Sequence, residues 1–152
     1  AKRLGLKSIR TFHADGRKAL PVSLTRSYDR ILVDAPCSGL GTLRSHPEIK
    51  WNRNDADLKR LSRLQQTILA RAASCLKTGG VLVYSTCTLT RDENENVVEK
   101  FLRNCDKFLL EDAAEYLPEP AKGLVQNRYF TAWPHRHDTD GFFAARIRKV
   151  NT

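Results

Sequence analysis

The sequence predicts an α/β domain with a mostly parallel sheet and an antiparallel strand at one edge. Short apolar runs at residues 8–12, 28–33 and 81–84 have the length of strands, and helical patterns follow the last two. With 152 residues, of which 41% are hydrophobic, the chain has enough apolar material for the core of one domain.

The part of the chain before residue 55 is predicted to supply two strands and a loop. Residues 2–6 have the pattern of a helix end closed by Gly5, and residues 8–12 follow as a short strand. The continuous apolar character of residues 28–33 indicates a strand buried on both faces. Glycines and a proline in residues 38–54 predict a long loop.

Two predicted helices flank the third strand. The first begins near Asp55 and stops at Gly79-Gly80, and T-R-D-E at 90–93 has the form of a capping box that starts the second. Residues 81–84 form a buried strand between them. The apolar residues at helical spacing are Leu58, Leu61, Leu64, Ile68, Leu69, Ala72, Cys75 and Leu76, then Val97, Val98, Phe101, Leu102 and Cys105.

The last part of the chain is predicted to supply the antiparallel strand. Residues 108–111 form a short strand, and residues 116–140 are rich in proline and irregular. Asp140-Gly141 then turns the chain into a strand at residues 142–149. Because a turn-rich loop rather than a helix precedes this strand, we expect it to run antiparallel at an edge of the sheet.

The charge of the chain favours a polyanionic partner such as nucleic acid. The net charge is +9 and the pI is near 9.7. No apolar run reaches the roughly 18 residues that a membrane span needs, and no secretory signal opens the chain. We therefore expect a cytoplasmic protein without a membrane partner.

The cysteine spacing does not predict a zinc site, because the four cysteines include no C-x-x-C pair. Cys75 and Cys105 fall on apolar helix faces, where a free cysteine acts as a small hydrophobic residue. A second candidate metal site consists of four polar residues near a turn: His135, His137, Asp138 and Asp140. We expect these residues to be solvated, so no metal is predicted there.

Two cysteines and two aspartates follow strands of the predicted sheet. Asp34 and Cys37 belong to D-A-P-C-S-G at 34–39, Cys87 belongs to S-T-C-T at 85–88, and Asp15 follows the first strand. Open α/β sheets bind their ligands at the carboxyl ends of the strands, so the shared location marks a candidate site.

One reaction needs such a set of groups. A thiolate that adds to carbon 6 of a pyrimidine makes carbon 5 able to take a methyl group; a base then removes the carbon 5 proton and the thiol leaves. A carboxylate that hydrogen-bonds the ring would select cytosine. The residues alone do not choose between Cys37 and Cys87 as the nucleophile. Two other functions stay open: a non-catalytic RNA-binding fragment, and a redox protein that uses the two thiols as a dithiol.

A basic stretch directly after the D-A-P-C-S-G motif favours a surface that faces RNA, with an aromatic residue available for stacking on a base. Acidic residues dilute this stretch, and a solvated face is the alternative. The residues predicted to face RNA are Arg44, His46, Lys50, Trp51 and Arg53, and the stretch continues through Lys59, Arg60 and Arg63.

Taken together, the motifs resemble those of the Sun/Fmu-type RNA (cytosine-5) methyltransferases, which use S-adenosylmethionine. Besides the two cysteine motifs, the resemblance covers A-D-G-R at 14–17, L-R-S-H-P-E-I-K-W at 43–51, L-K-T-G-G at 76–80, D-E-N-E at 92–95 and D-G-F-F at 140–143. The H-P-E-I-K-W loop is most similar to bacterial members that modify small-subunit ribosomal RNA. The resemblance implies a Rossmann-like S-adenosylmethionine-dependent methyltransferase fold.

The resemblance also implies a role for each candidate residue. Cys87 would be the nucleophile, and Cys37 would help to release the methylated product. Asp34 would contact the target base and border the methyl donor, and Asp15 would bind the adenine of the donor.

One feature of the family is missing from the sequence. The family's donor-binding half begins with a strand, a glycine-rich loop and a helix, and no such loop precedes Asp15. The chain begins at Ala1 and contains no methionine. We therefore expect residues 1–152 to be the carboxyl-terminal part of a methyltransferase catalytic domain, without its amino-terminal strands and inactive on its own.

Overall fold

Six strands and four α-helices make up the computed structural model, which describes residues 3, 5–18 and 28–151. The strands are β1 (Tyr28–Asp34), β2 (Leu76–Thr86), β3 (Phe108–Glu111), β4 (Val125–Gln126), β5 (Tyr129–Ala132) and β6 (Phe142–Lys149). The helices are α1 (Asp55–Ser74), α2 (Glu95–Arg103), α3 (Glu119–Lys122) and α4 (Pro134–His137). The segment predicted as a long loop contains two short 3-10 helices, Leu40–Thr42 and Pro47–Trp51. None of the helices in these described ranges is both long and apolar enough to cross a membrane.

The strands form one mixed sheet in the order β1-β2-β6-β5-β4, with β3 paired to β6. This arrangement confirms the α/β class, but β1 and β2 form the one parallel pair among the described strands. The final strand β6 is antiparallel, as predicted, but it lies inside the sheet. The predicted edge position and parallel majority are therefore wrong for the described residues, because β3 and the β4–β5 hairpin extend the sheet beyond β6.

Residues 8–12 do not form the predicted strand. Ile9 and Phe12 are 51% and 66% exposed, and the described residues place no strand beside them. A strand is stabilised by the ladder it forms with a neighbour, so an apolar run without a paired neighbour does not suffice. The predicted helix end at residues 2–6 lies partly outside the described residues, although Gly5 has the positive φ, 65°, of a helix-closing glycine.

Strand β1 covers the predicted residues, but only one of its faces is buried. Val33 packs in the core, whereas Leu32 points to the opposite side of the sheet and is 68% exposed. Within the described sheet β1 pairs with β2 alone and is an edge strand. The prediction of burial on both faces is therefore wrong for this part of the chain.

Helix α1 begins at Asp55 as predicted, where the Asn54 side chain accepts a hydrogen bond from the backbone N–H of Asp57. It ends at Ser74, five residues before the predicted stop at Gly79-Gly80. The chain enters β2 at Leu76, and residues 77–80 form an irregular excursion of that strand. Gly79 has φ 78° there, so the glycine pair shapes an irregularity in a strand rather than the end of a helix.

The core lies between one face of the sheet and the two long helices. Residues from α1, α2, β2 and β6 meet there, as the apolar stripes of the sequence predict. Its fully buried members include Leu69, Leu76, Leu82, Tyr84, Val97, Val98, Ala145 and Ile147.

Candidate active site

The parallel pair β1 and β2 delivers both cysteine motifs to the same edge of the sheet. Asp34, the last residue of β1, is in register with Ser85 of β2. The chain continues into two loops, which we call the Cys37 loop (residues 35–39) and the Cys87 loop (residues 87–90). They bring Cys37 Sγ to 3.2 Å from Cys87 Sγ. The structure thus places together the two thiols that the sequence separates by 50 residues.

The environment of Cys37 favours its protonated form. Burial raises the pKa of the Cys37 thiol, and the neighbouring sulfur of Cys87 raises it further. The backbone N–H groups of Gly39 and Cys87 oppose this rise without cancelling it. A thiol that keeps its proton can donate a hydrogen bond to the second sulfur, which fits the short distance between the two.

Asp34 ends β1 three residues before Cys37, and its side chain is exposed. Its Oδ1 atom accepts a hydrogen bond from Ser85 Oγ at 3.1 Å. Both side chains lie on the sheet face opposite α1 and α2, since their strand neighbours Val33 and Tyr84 point into the core. Asp34 can therefore accept hydrogen bonds from a molecule that binds on this face of the sheet.

A close crossing of backbones fixes the Cys87 loop. The Gly41 N–H donates to the Cys87 carbonyl at 2.9 Å, and the Gly141 N–H donates to the Gly41 carbonyl at 2.8 Å. A Cβ atom at Gly41 would lie 2.3 Å from the Gly141 oxygen and 2.7 Å from the Cys87 oxygen. Only glycine fits this position, which ties the D-G-F-F motif through Gly41 to the Cys87 loop.

A buried carboxylate that the sequence assigned to a helix cap joins the two loops. Glu93 is fully buried and accepts hydrogen bonds from the Ser38 N–H at 2.8 Å and from Thr90 Oγ1 at 3.0 Å. The predicted capping box at residues 90–93 is wrong, because α2 begins at Glu95 with Asn94 as its N-cap. The D-E-N-E motif was the available signal, but the helical period does not reveal that the Glu93 side chain turns inward.

The side chain of Asn94 forms two hydrogen bonds with the chain on either side of Cys87. Its Oδ1 atom accepts a hydrogen bond from Thr86 Oγ1 at 2.5 Å, and its Nδ2 donates to the Thr88 carbonyl at 3.0 Å. Thr88 Oγ1 in turn contacts Ser38 Oγ at 2.8 Å. Both hydroxyl contacts lie in the protein interior, so the two cysteine loops share one buried polar network.

Asp15 is engaged by its own neighbour. Both carboxylate oxygens accept hydrogen bonds from the Arg17 guanidinium, and Oδ1 also accepts one from the Arg17 N–H at 3.0 Å. This pairing holds the pKa of the Asp15 carboxyl well below its usual range. The loop that carries it lies against α1, since a Cβ at Gly16 would be 3.6 Å from Ile68.

The residues predicted to face RNA are held in different ways. Arg44 pairs with Asp138 at 2.6 Å, and His46 Nδ1 lies 3.4 Å from a Glu48 oxygen. Lys50 Nζ lies 5.2 Å from the centre of the Trp51 ring, which is 81% exposed. Arg53 is instead part of the site scaffold, since its Nε donates to the Ser38 carbonyl at 3.0 Å.

These features define the class of the protein: a Rossmann-like methyltransferase fold with a cysteine pair at the carboxyl ends of its parallel strands. The profile of the family described as 16S rRNA methyltransferase RsmB/F matches residues 1–148, and the chain belongs to this family. The match confirms the resemblance to Sun/Fmu-type enzymes.

Individual relatives agree with this assignment. The chain is 41% identical over 150 residues to a Bacillus subtilis protein named "Probable ribosomal RNA small subunit methyltransferase B", a match that covers 98% of the chain and 34% of the relative. It is 37% identical over 149 residues to ribosomal RNA small subunit methyltransferase F of Aeromonas salmonicida, covering 97% of the chain and 31% of the relative. The crystal structure of NSun6 from Pyrococcus horikoshii with SFG superposes with a TM-score of 0.80 at 36% identity, over 99% of the chain and 37% of that structure. The chain thus spans about a third of the length of the curated relatives it matches.

Proposed function

We propose that the protein methylates carbon 5 of a cytosine in RNA, with S-adenosylmethionine as the methyl donor and a covalent bond from Cys87 to carbon 6 of the base. Small-subunit ribosomal RNA is the proposed substrate, because the relatives' names specify it. The donor assignment is supported by the family and by the structural relative with SFG, an analogue of S-adenosylmethionine.

The observation that carries the proposal is the contact between two thiols beside an exposed carboxylate. Cys37 Sγ and Cys87 Sγ are 3.2 Å apart, and Asp34 ends the strand that leads to one of them. Carbon 5 of cytosine becomes nucleophilic only after a thiolate has added to carbon 6, and the adduct must later lose the carbon 5 proton and the thiol. Of two adjacent thiols, one can add to carbon 6 and the other can assist the later departure of the bonded sulfur.

The resemblance to Sun/Fmu-type enzymes is what assigns Cys87 as the nucleophile, and the burial of Cys37 is compatible with that assignment. The thiolate, not the thiol, attacks carbon 6, and the raised pKa of Cys37 keeps that residue in the thiol form. Cys37 then serves the second half of the reaction. A base removes the carbon 5 proton, its electron pair reforms the ring double bond, the bond from the Cys87 sulfur to carbon 6 breaks, and the Cys37 thiol can hydrogen-bond the departing thiolate.

Asp34 is the group that we assign to the base. Its exposed carboxylate oxygens accept hydrogen bonds, so they suit the exocyclic amine of cytosine and ring nitrogen 3 when that nitrogen is protonated. S-adenosylmethionine supplies an electrophilic methyl group on a sulfonium, and the negative charge of Asp34 also fits the border of such a cation. Asp15 is assigned to the adenine of the donor, and Arg17 must release at least one of its oxygens first.

The RNA is proposed to approach over the 3-10 helix at Pro47–Trp51. The exposed Trp51 ring with Lys50 beside it offers a stacking surface and a positive charge. The net charge of +9 supports phosphate contacts along the same approach.

Cysteine variants of the full gene product test the proposal with a small-subunit rRNA transcript and a donor labelled on its methyl group. Cys87→Ala should abolish incorporation of label. Cys37→Ala should instead accumulate a protein–RNA adduct that survives a denaturing gel, because the bond to carbon 6 forms but breaks slowly. A stable adduct in Cys87→Ala would reverse the assignment of the two thiols. Reversible disulfide formation without any donor-dependent labelling would favour a dithiol redox protein.

A further inference from the structure

Glu93 is a fully buried acidic residue at the centre of the site scaffold. In the described part of the chain it forms no ion pair, and its hydrogen bonds come from neutral groups: the Ser38 N–H, Gln65 Nε2 and Thr90 Oγ1. A buried carboxylate without a cation is costly unless donors surround it. An apolar residue would fill the same volume without that cost, so the carboxylate at this position calls for an explanation.

The contacts of Glu93 and Gln65 hold the backbone on both sides of Cys37. Glu93 Oε1 accepts from the Ser38 N–H at 2.8 Å, directly after Cys37 in the chain. Gln65 Nε2 donates to the Pro36 carbonyl at 3.0 Å, directly before Cys37, and also donates to Glu93 Oε1 at 3.0 Å. The two side chains therefore form hydrogen bonds with the peptide units on both sides of Cys37, which set the direction of the Cys37 side chain.

The other oxygen of Glu93 reaches the second cysteine loop. Oε2 accepts from Thr90 Oγ1 at 3.0 Å, and Thr90 ends the Cys87 loop. The Glu93 carbonyl also accepts from Tyr84 Oη at 2.6 Å, which fixes the residue to the buried strand β2. One carboxylate thus joins the two loops whose sulfurs are in contact.

We propose that Glu93 is a positioning residue that, together with Gln65, holds the Cys37 loop against the Cys87 loop so that the two sulfurs stay in contact. The proposal rests on the proposed function for its purpose, since the reaction needs both thiols at one base. The geometric claim itself does not depend on methyl transfer.

The equilibrium of thiol–disulfide exchange measures this contact directly. Two protein thiols and one oxidised glutathione give one protein disulfide and two reduced glutathione molecules, so the equilibrium yields the effective concentration of one thiol at the other. The measurement uses the full chain without RNA or donor. Peptide mass spectrometry then identifies the disulfide between Cys37 and Cys87, because Cys75 and Cys105 are also free thiols.

Two variants of Glu93 distinguish the loss of its hydrogen bonds from the loss of its charge alone. Glu93→Ala removes the acceptor and should lower the effective concentration about tenfold or more, the size expected for a lost charge-assisted hydrogen bond. Glu93→Gln keeps an oxygen for Ser38 and Gln65, and its amide can donate to Thr90 Oγ1, so it should stay within about threefold of the wild type. Should Glu93→Ala fail to fold, Gln65→Leu removes the hold on Pro36, and the same fall is expected.

Val98→Ala is the matched control for general loss of stability. Val98 is fully buried in α2 and belongs to the apolar core rather than to the cysteine loops. It should lower the free energy of unfolding without changing the effective concentration. An unchanged value in Glu93→Ala, or an equal fall in Val98→Ala, would overturn the proposal. A fall in Glu93→Gln as large as in Glu93→Ala would overturn it too, because the hydrogen-bonding atoms remain in that variant.

Discussion

Replacing Gly41 by alanine should destabilise the protein by about 2–6 kcal/mol. The new Cβ would lie 2.3 Å from the Gly141 oxygen and 2.7 Å from the Cys87 oxygen, and both are backbone atoms that cannot rotate away. Overpacking of this kind costs about 1–3 kcal/mol. To relieve the clash, the backbone at Gly41 must move away from Cys87 and Gly141. That movement breaks the two hydrogen bonds of Gly41, at a cost of about 0.5–1.5 kcal/mol each.

Urea unfolding of the full chain measures this loss, with Gly123→Ala as the matched control. A Cβ at Gly123 would meet no heavy atom within 4 Å, and its φ of −61° suits any residue. Gly123→Ala should therefore not lower the free energy of unfolding, and it should raise that free energy by at most about 1 kcal/mol. If Gly41→Ala proved as stable as Gly123→Ala, the crossing of Gly41 and Gly141 would not fix the Cys87 loop, and the account of the scaffold would be wrong.

Three further results are expected. The raised pKa of Cys37 contributes stability that is fully present below the thiol's ordinary pKa of 9.0 and is progressively lost as the pH rises above it. Cys37→Ser should therefore lose less stability at alkaline pH than the wild type. If the free energy of unfolding in urea fell equally steeply in both proteins between pH 8 and 11, this expectation would be contradicted. RNA binding should weaken steeply from low to physiological salt, and a flat salt dependence in a fluorescence titration would assign the basic residues to a solvated surface. In the same titration, Trp51→Ala should cost about 1–3 kcal/mol of binding free energy at each salt concentration. Residues 1–152 alone should bind S-adenosylmethionine weakly, because they contain no glycine-rich loop before Asp15 that could hold the carboxylate end of the donor. A micromolar dissociation constant by calorimetry would contradict this expectation.

The elements that the sequence predicts well are those whose own residues determine them. Helix α1 has a capping residue, Asn54, and an apolar stripe at helical spacing, and it begins where predicted. Strand β6 follows the Asp140-Gly141 turn and also has the predicted bounds. The meeting of Cys37 and Cys87 follows from two parallel strands that end at one edge, a rule of topology that needs no knowledge of distant contacts.

The elements that the sequence predicts poorly depend on partners far along the chain. Residues 8–12 are apolar enough for a strand, but the described sheet offers them no neighbour. The Gly79-Gly80 pair resembles a helix stop until the pairing of Tyr28 with Leu76 shows that the strand has already begun. Glu93 has the position of a capping residue, and only the approach of Ser38 and Gln65 from distant segments turns it into a buried acceptor.

Covalent trapping tests the central claim most directly. Cytosine with fluorine at carbon 5 has no proton to lose there, so an enzyme that adds a thiolate to carbon 6 and transfers a methyl group stays bonded to it. The full gene product is incubated with the donor and a small-subunit rRNA transcript that carries 5-fluorocytosine, and the cross-linked peptide is then identified by mass spectrometry. The account predicts a donor-dependent bond at Cys87. A bond at Cys37, or no bond under conditions in which the ordinary transcript is methylated, would contradict it.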